Sequence, residues 1–282
     1  MPVGGTRLDA ELVRQGLARS RRRAAELVAD GKVRVAGEIA RKASQGVDGA
    51  TEITVVGDQD SYVSRGAHKL IGALDALAAV DCPLVVTGRR CLDAGASTGG
   101  FTQVLLERGA GHVVAVDVGH DQLAANLVAD PRVTALDGVN ARYLRTEDVG
   151  GVVDAVVADL SFISLTIVLP SLARLVDQDG WLLPLVKPQF EVGRGRLAAT
   201  GVVRSPQLRE EAVVTVARSV RETARVEAVV PSPLPGPSGN REYFLLLRPV
   251  ADEDPWDDEA LTAAVRAAVH DGEPVVIRDR SR

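Results

Sequence analysis

The chain is poor in sulfur and in histidine, with two cysteines, one methionine and four histidines among 282 residues. Cys82 and Cys91 form neither a C-x-x-C pair nor any metal-ligand spacing, which sets aside a disulfide framework and a zinc site. His68, His112, His120 and His270 are scattered without carboxylates in register, so no metal is expected. Long hydrophobic runs are also missing: none approaches the roughly 18 residues that span a bilayer. The opening MPVGGTRLDAEL carries no apolar signal-peptide core, so the expectation is a cytoplasmic protein without membrane contact.

What is present suits an ordinary globular protein. A content of 46% hydrophobic residues is ample for a packed core, and the length suggests about two domains. The net charge of −5 hides an asymmetry, because residues 1–56 hold ten Lys and Arg against seven Asp and Glu. In this basic segment Leu8, Leu12 and Val13 suggest one short amphipathic helix. Ser20 is a plausible cap for a second helix that buries Ala24, Leu27 and Val28 and stops at Gly31. Short strands over Val33–Val35 and 53–56 follow. Arg19, Arg21, Arg22 and Arg23 crowd the start of the second helix, where the macrodipole disfavours cations, so an external anion such as a phosphate backbone is one reading. A solvated basic face is the other.

The stretch DAGASTGGFT, residues 93–102, organises the remainder. It follows the short apolar run at Cys91-Leu92 and precedes Phe101, Val104 and Leu105 at helical spacing, so its glycines mark a strand-to-helix turn. Gly95, Gly99 and Gly100 are expected to take positive φ and to open the backbone to a ligand at the helix start. Ser97 occupies the place of the second glycine of a dinucleotide fingerprint, which argues against NAD and for a phosphate-free cofactor, S-adenosylmethionine (SAM). Asp117 ends a second strand, 112–116, at 22 positions after Gly95, near the roughly 20-residue offset at which a carboxylate meets ribose. Asp137 closes a third run, 133–136. The cofactor candidates are thus Asp93, Gly95, Ala96, Ser97, Thr98, Gly99, Gly100, Asp117, Asp137 and Asp159. A purely structural glycine turn is the alternative.

Polar residues 57–61 read as a linker, with 57–63 taken as the whole connection, and Tyr62 opens a helix running toward Ala79. From Val85 to Pro249 apolar runs alternate with helical stretches, the pattern of a doubly wound α/β sheet. A strand over 152–157 delivers Asp159-Leu160-Ser161-Phe162 to the carboxyl edge. After a helix over 163–176, a strand over 181–186 delivers Lys187 there, and Pro188 restricts Lys187 to extended backbone. Lys69 lies beside the stripe Leu70, Leu74 and Leu77, either as a snorkelling surface lysine or as a catalytic one. Residues 193–205 read as a mobile loop able to contact RNA. A helix over 206–223 and strands near 226–230 and 245–247 complete the domain, with Glu242 at a loop-to-strand border. Residues 251–282 read as a tail with a short helix and no assigned role.

Cys82 and Cys91 are misplaced for a ring-carbon methylation nucleophile, and residues 159–162 lack the prolines of an amino-methylating loop. A hydroxyl acceptor fits better, since a lysine can remove its proton or stabilise its developing charge.

Residues 6–44 resemble the small RNA-binding domain shared by ribosomal small-subunit protein S-four and pseudouridine synthases. That resemblance implies an RNA-facing set of Arg7, Arg14, Arg19, Arg21, Arg22, Arg23 and Lys42, to which Arg65 is added. The chain up to about residue 270 resembles the TlyA family, 2′-O-methyltransferases of cytidines in small- and large-subunit rRNA that were once called hemolysins. The resemblance implies an FtsJ-like, Rossmann-like fold. It also implies a Lys-Asp-Lys-Glu tetrad at Lys69 in SRGAHKL, Asp159 in ADLSF, Lys187 in LVKPQF and Glu242 in NREYF. One departure is at the linker, where relatives resemble Arg-x-Trp-Val and this chain has Asp60-Ser61-Tyr62-Val63. The expected organisation is an RNA-binding domain at 1–56, a linker at 57–63, a SAM-dependent methyltransferase domain at 64–250 and the tail. Ribosomal subunits and their rRNA are the expected partners, and a monomer is assumed. A non-catalytic RNA-binding assembly factor or SAM sensor is the competing reading, and a membrane-active hemolysin the remotest.

Overall fold

A computed structural model describes residues 6–15, 17–18, 20–48, 51–55, 62–197, 200–236, 238–250 and 257–277. It divides into two compact units, residues 1–61 and 62–282. The expected linker residues 57–61, Arg19 and the side chain of Arg23 lie outside what is described.

The first unit runs β1 (Thr6–Arg7), α1 (Leu8–Arg14), α2 (Arg21–Ala29), β2 (Val33–Val35), β3 (Glu38–Ile39), β4 (Gly46–Val47) and β5 (Ile53–Val55). The stripe read from the sequence is its core: Leu8, Leu12, Ala24, Leu27, Val28 and Val33 are buried together. Gly31 takes φ +69° just past α2, where a β-carbon would be strained. β3, β2 and β5 form a small antiparallel sheet, and β1 pairs with β4.

The second unit opens with α3 (Gly66–Ala79), β6 (Arg90–Ala94), α4 (Gly100–Glu107), β7 (His112–Asp117), α5 (Ala125–Val128), β8 (Val133–Asp137) and β9 (Val153–Ala158). It continues with α6 (Leu165–Ala173), β10 (Val176–Val186), α7 (Pro188–Glu191), α8 (Pro206–Arg218), β11 (Ala224–Pro231), β12 (Tyr243–Pro249), α9 (Asp258–His270) and β13 (Val275–Val276). The sheet order is β8-β7-β6-β9-β10-β12-β11-β13. β8 to β10 are mutually parallel, and β12, β11 and β13 are each antiparallel to their neighbours. The central strands are covered on both faces, which is why 153–158 reads as a β-branched and small-residue run rather than an alternating one. Leu169, Leu172, Val213, Val216 and Val265 pack one face, and Leu70, Leu74, Leu77, Phe101 and Leu105 the other.

Several sequence expectations are corrected here. Tyr62 to Arg65 precede α3, which begins at Gly66. α6 is shorter than 163–176, since the Ser164 hydroxyl accepts from the Thr166 amide at its start and Val176 already belongs to the long β10. The described residues of 193–205 are not a free loop: Val203 is buried, its amide donates to Asn240 Oδ1 at 2.9 Å, and Arg196 pairs with Glu211 at 2.7 Å. Residues 257–277 of the expected tail are part of the fold as well. Capped by the Asp257 carboxylate, α9 buries Leu261, Ala264, Val265, Ala268 and Val269, and β13 extends the sheet beside β11.

Candidate active site

The chain order of the strands creates a switch point. From β6 the chain steps outward to β7 and β8, then returns to place β9 on the other side of β6. In such sheets the crevice at the carboxyl ends of the two flanking strands is where a ligand is held. Here β6 brings the glycine turn to that edge, and β9 brings Asp159.

The turn is built by three different requirements. Gly95 has φ +87°, and a β-carbon there would stand 2.9 Å from the Asp159 carbonyl. Gly99 has φ +97° at the α4 cap, with its missing β-carbon facing Leu127 and Leu123. Gly100 has no positive φ and is already helical; it admits Ser64, whose Oγ would lie 2.1 Å from an added β-carbon. The expectation that all three take positive φ to clear space for a ligand is therefore corrected. Their missing side chains face protein, and they draw the turn against its neighbours. Ser97 shares the strain, with φ +48°, and its amide donates to Asp117 Oδ2 at 2.8 Å. Asp117 Oδ1 accepts from the Gly119 amide at 2.7 Å, so this carboxylate ties the turn to the β7 end. Asp137, beside Asp117 in the β7–β8 register, accepts from the Asp121 amide at 3.0 Å.

Asp93 lies within β6 rather than in the turn, and it is wholly buried. Its Oδ2 accepts from Thr102 Oγ1 at 2.7 Å, while Oδ1 has no hydrogen-bond partner among the described residues. Burial pushes its carboxyl up to about 7, and the charges of Asp159 and Asp117 act in the same direction. The turn is thus ringed by carboxylates. That field would repel a pyrophosphate and suits a cationic, phosphate-free cofactor, so Asp117, Asp137 and Asp159 fit SAM, whereas Asp93, wholly buried and bonded to Thr102, is corrected from a cofactor contact to an internal support of β6.

The four tetrad positions come to the same edge as two ion pairs. Lys69, on the first turn of α3, places Nζ 2.5 Å from Glu242 Oε2, and both side chains are almost fully buried. Lys69 is therefore not a snorkelling surface residue. Gln189 Nε2 donates to the other Glu242 oxygen at 3.3 Å, and Gly236 leaves room for it, since a β-carbon there would stand 2.6 Å from Oε1. Lys187 Nζ lies 2.7 Å from Asp159 Oδ1 and donates to Ser161 Oγ at 2.8 Å. The residue before proline does sit in extended backbone, at φ −112° and ψ 97°, and Pro188 begins α7.

The sequence places Ser161, Phe162 and Gln189 at this edge but gives them no role there. Ser161 and Gln189 are ordinary polar residues whose roles depend on contacts to Lys187 and Glu242. Phe162 stands 91% exposed in left-handed backbone, φ +65°, with its ring 5.2 Å from Phe190. Its placement just after Asp159 was the only available signal. The Cys91 thiol, buried in β6, is pushed up to about 12 by desolvation, which makes it inert as a nucleophile.

The proposed RNA-facing residues belong to the first unit, except Arg65. Arg7 and Arg21 both pair with Asp9, Arg14 pairs with Glu11, and Arg22 pairs with Glu26. Lys42 is exposed. Arg65 Nη2 donates to the Pro235 carbonyl at 2.7 Å. Among the described residues no helix is long and apolar enough to cross a membrane, and no three metal-capable side chains are grouped.

A mostly parallel sheet with a glycine turn at its switch point and a Lys/Asp edge beside it defines a doubly wound α/β protein, an architecture whose ligands are held at this strand edge. Residues 62–249 match the FtsJ-like methyltransferase family and residues 6–53 the S4 domain. A Mycobacterium tuberculosis protein named 16S/23S rRNA (cytidine-2′-O)-methyltransferase TlyA is 56% identical over 94% of this chain and 98% of its own length. Hemolysin A of Brachyspira hyodysenteriae is 35% identical over 84% of this chain and 98% of its length. A solved hemolysin-named chain from Streptococcus thermophilus superposes with a TM-score of 0.71 at 36% identity, covering 94% of this chain and 96% of that one. The chain belongs to the TlyA branch of the FtsJ-like methyltransferases.

Proposed function

We propose that the protein transfers the methyl group of SAM to a ribose 2′-hydroxyl of cytidine in rRNA, acting on ribosomal subunits in the cytoplasm. The observation that carries this reading is Lys187, held at the sheet edge between Asp159 and Ser161 beside the glycine turn. Bound SAM would supply an electrophilic methyl group on a sulfonium; the carboxylates of Asp117, Asp137 and Asp159 and the backbone of residues 95–100 are the groups to hold it.

The chain's own work is directed at the hydroxyl. A ribose 2′-hydroxyl attacks poorly until its proton leaves or its developing charge is met by a cation. Lys187 keeps one position for that oxygen once Asp159 and Ser161 have each taken a contact. As an ammonium it meets the developing negative charge, and as an amine it would accept the proton. Lys69 and Glu242 neutralise each other in a buried setting and hold the start of α3 against the loop ahead of β12. Their assigned part is to shape the floor beneath Lys187. The first unit contributes affinity for structured rRNA, whose A-form helices are bound through phosphates and 2′-hydroxyls.

The competing reading, a non-catalytic RNA-binding factor, makes a different forecast. Mass mapping of 2′-O-methyl marks on rRNA from cells with and without the protein should show at least one cytidine mark that depends on it. Unchanged marks, together with no methyl transfer from SAM to purified subunits, would sink the enzymatic reading.

A further inference from the structure

The first unit holds a buried acid beside two of the arginines proposed to face RNA. Asp9 is 8% exposed at its side chain, yet its carboxylate is met by two arginines from different elements. Arg7, at the end of β1, donates from Nε to Oδ1 at 3.0 Å and from Nη2 to Oδ2 at 2.9 Å. Arg21, the first residue of α2, brings Nη2 within 3.2 Å of Oδ2 and 3.4 Å of Oδ1. Both arginine side chains remain more than half exposed. The two guanidiniums hold the Asp9 carboxyl down at about 2, so it is ionised throughout the physiological range.

A carboxylate among cations lowers the attraction of the face for phosphate. Its compensation lies in geometry. Arginine is a long, rotamer-rich side chain, and a fork already fixed by a carboxylate loses less freedom when its outer edge meets a phosphate. Asp9 receives one fork in bidentate fashion and a second side-on, and so fixes two guanidiniums relative to each other across the junction of β1, α1 and α2. Glu11 repeats the device with Arg14 at 2.8 and 2.5 Å.

We infer that Asp9 is a positioning residue for RNA binding: it locks Arg7 and Arg21 into one preformed pair that takes the phosphates of a structured RNA. This inference rests on the reading of the first unit as the RNA-binding part. It makes a forecast opposite in sign to simple electrostatics. Asp9→Asn raises the net charge of the unit by one, which on counterion grounds alone strengthens binding. Loss of the locked pair weakens it.

The test is equilibrium binding of the full chain to purified ribosomal subunits across a salt series, for wild type, Asp9→Asn, Asp9→Glu, Arg7→Ala, Arg21→Ala and the double variant Arg7→Ala/Asp9→Asn. The expected result is about tenfold weaker binding for Asp9→Asn, as lost preorganisation predicts, with SAM binding and far-ultraviolet circular dichroism unchanged. Asp9→Glu should fall between. In the double variant the effect of Asp9→Asn should largely vanish, since a residue that acts through Arg7 has little left to position. Equal or tighter binding by Asp9→Asn while Arg7→Ala is impaired would overturn the positioning role, as would unfolding of both Asp9 variants. If neither Arg7→Ala nor Arg21→Ala weakens binding, this face is not the RNA-binding face, a separate failure.

Discussion

Lys69 and Glu242, 173 positions apart in the chain, meet in a buried ion pair at 2.5 Å. A pair this enclosed is costly to break and of modest net worth when intact, because both charges were taken from water. Removing one partner, as in Lys69→Ala or Glu242→Ala, should therefore lower stability by about 3–5 kcal/mol. Replacing both, as Lys69→Met with Glu242→Leu, should recover much of that loss. Urea unfolding of the three variants checks this, and a double variant no more stable than the singles would refute it.

Lys187→Ala should reduce single-turnover methyl transfer to subunits by about 100-fold or more, the range of a lost acid, base or oxyanion partner, and change SAM affinity little. Lys187→Arg then separates the two roles. Arginine cannot practically give up its proton, so substantial residual activity would favour charge stabilisation, and a dead variant would be compatible with general-base transfer. Near wild-type rates in Lys187→Ala would remove the residue from the chemistry.

Asp93 predicts a pH effect on the catalytic unit. Its carboxyl sits near 7 when folded and in the usual carboxylate range, near 4, when unfolded. The folded state therefore prefers the protonated form, and stability falls as pH rises from about 4 through about 7. Asp93→Asn cannot ionise, so its melting temperature should decline less than that of wild type over this window. Parallel curves for the two proteins would show that Asp93 does not carry the shift.

Asp117→Ala should weaken SAM binding by about tenfold, through loss of both the ribose contacts proposed for it and its grip on the Ser97 amide. Titration calorimetry with SAM and with NAD checks the cofactor at the same time. Comparable binding of NAD by wild type would contradict the choice made at Ser97.

Alternation of apolar runs with helical stretches was enough to read the doubly wound sheet. The restriction of Lys187 by Pro188 was also legible, because a steric rule acting between adjacent residues needs no tertiary context. Partnership was not. That Lys69 belongs with Glu242 and Lys187 with Asp159, and that Asp93 is sealed in β6, depend on elements distant in sequence, and even the nearby Asp9, Arg7 and Arg21 meet only because β1, α1 and α2 pack together. The short helix of the tail was legible, but the role of its edge strand was not, since β13 forms only because β11 offers it an edge to pair with. Local chemistry determines turns, periods and backbone restrictions; which charge meets which, and in how dry a place, is decided when the chain closes on itself.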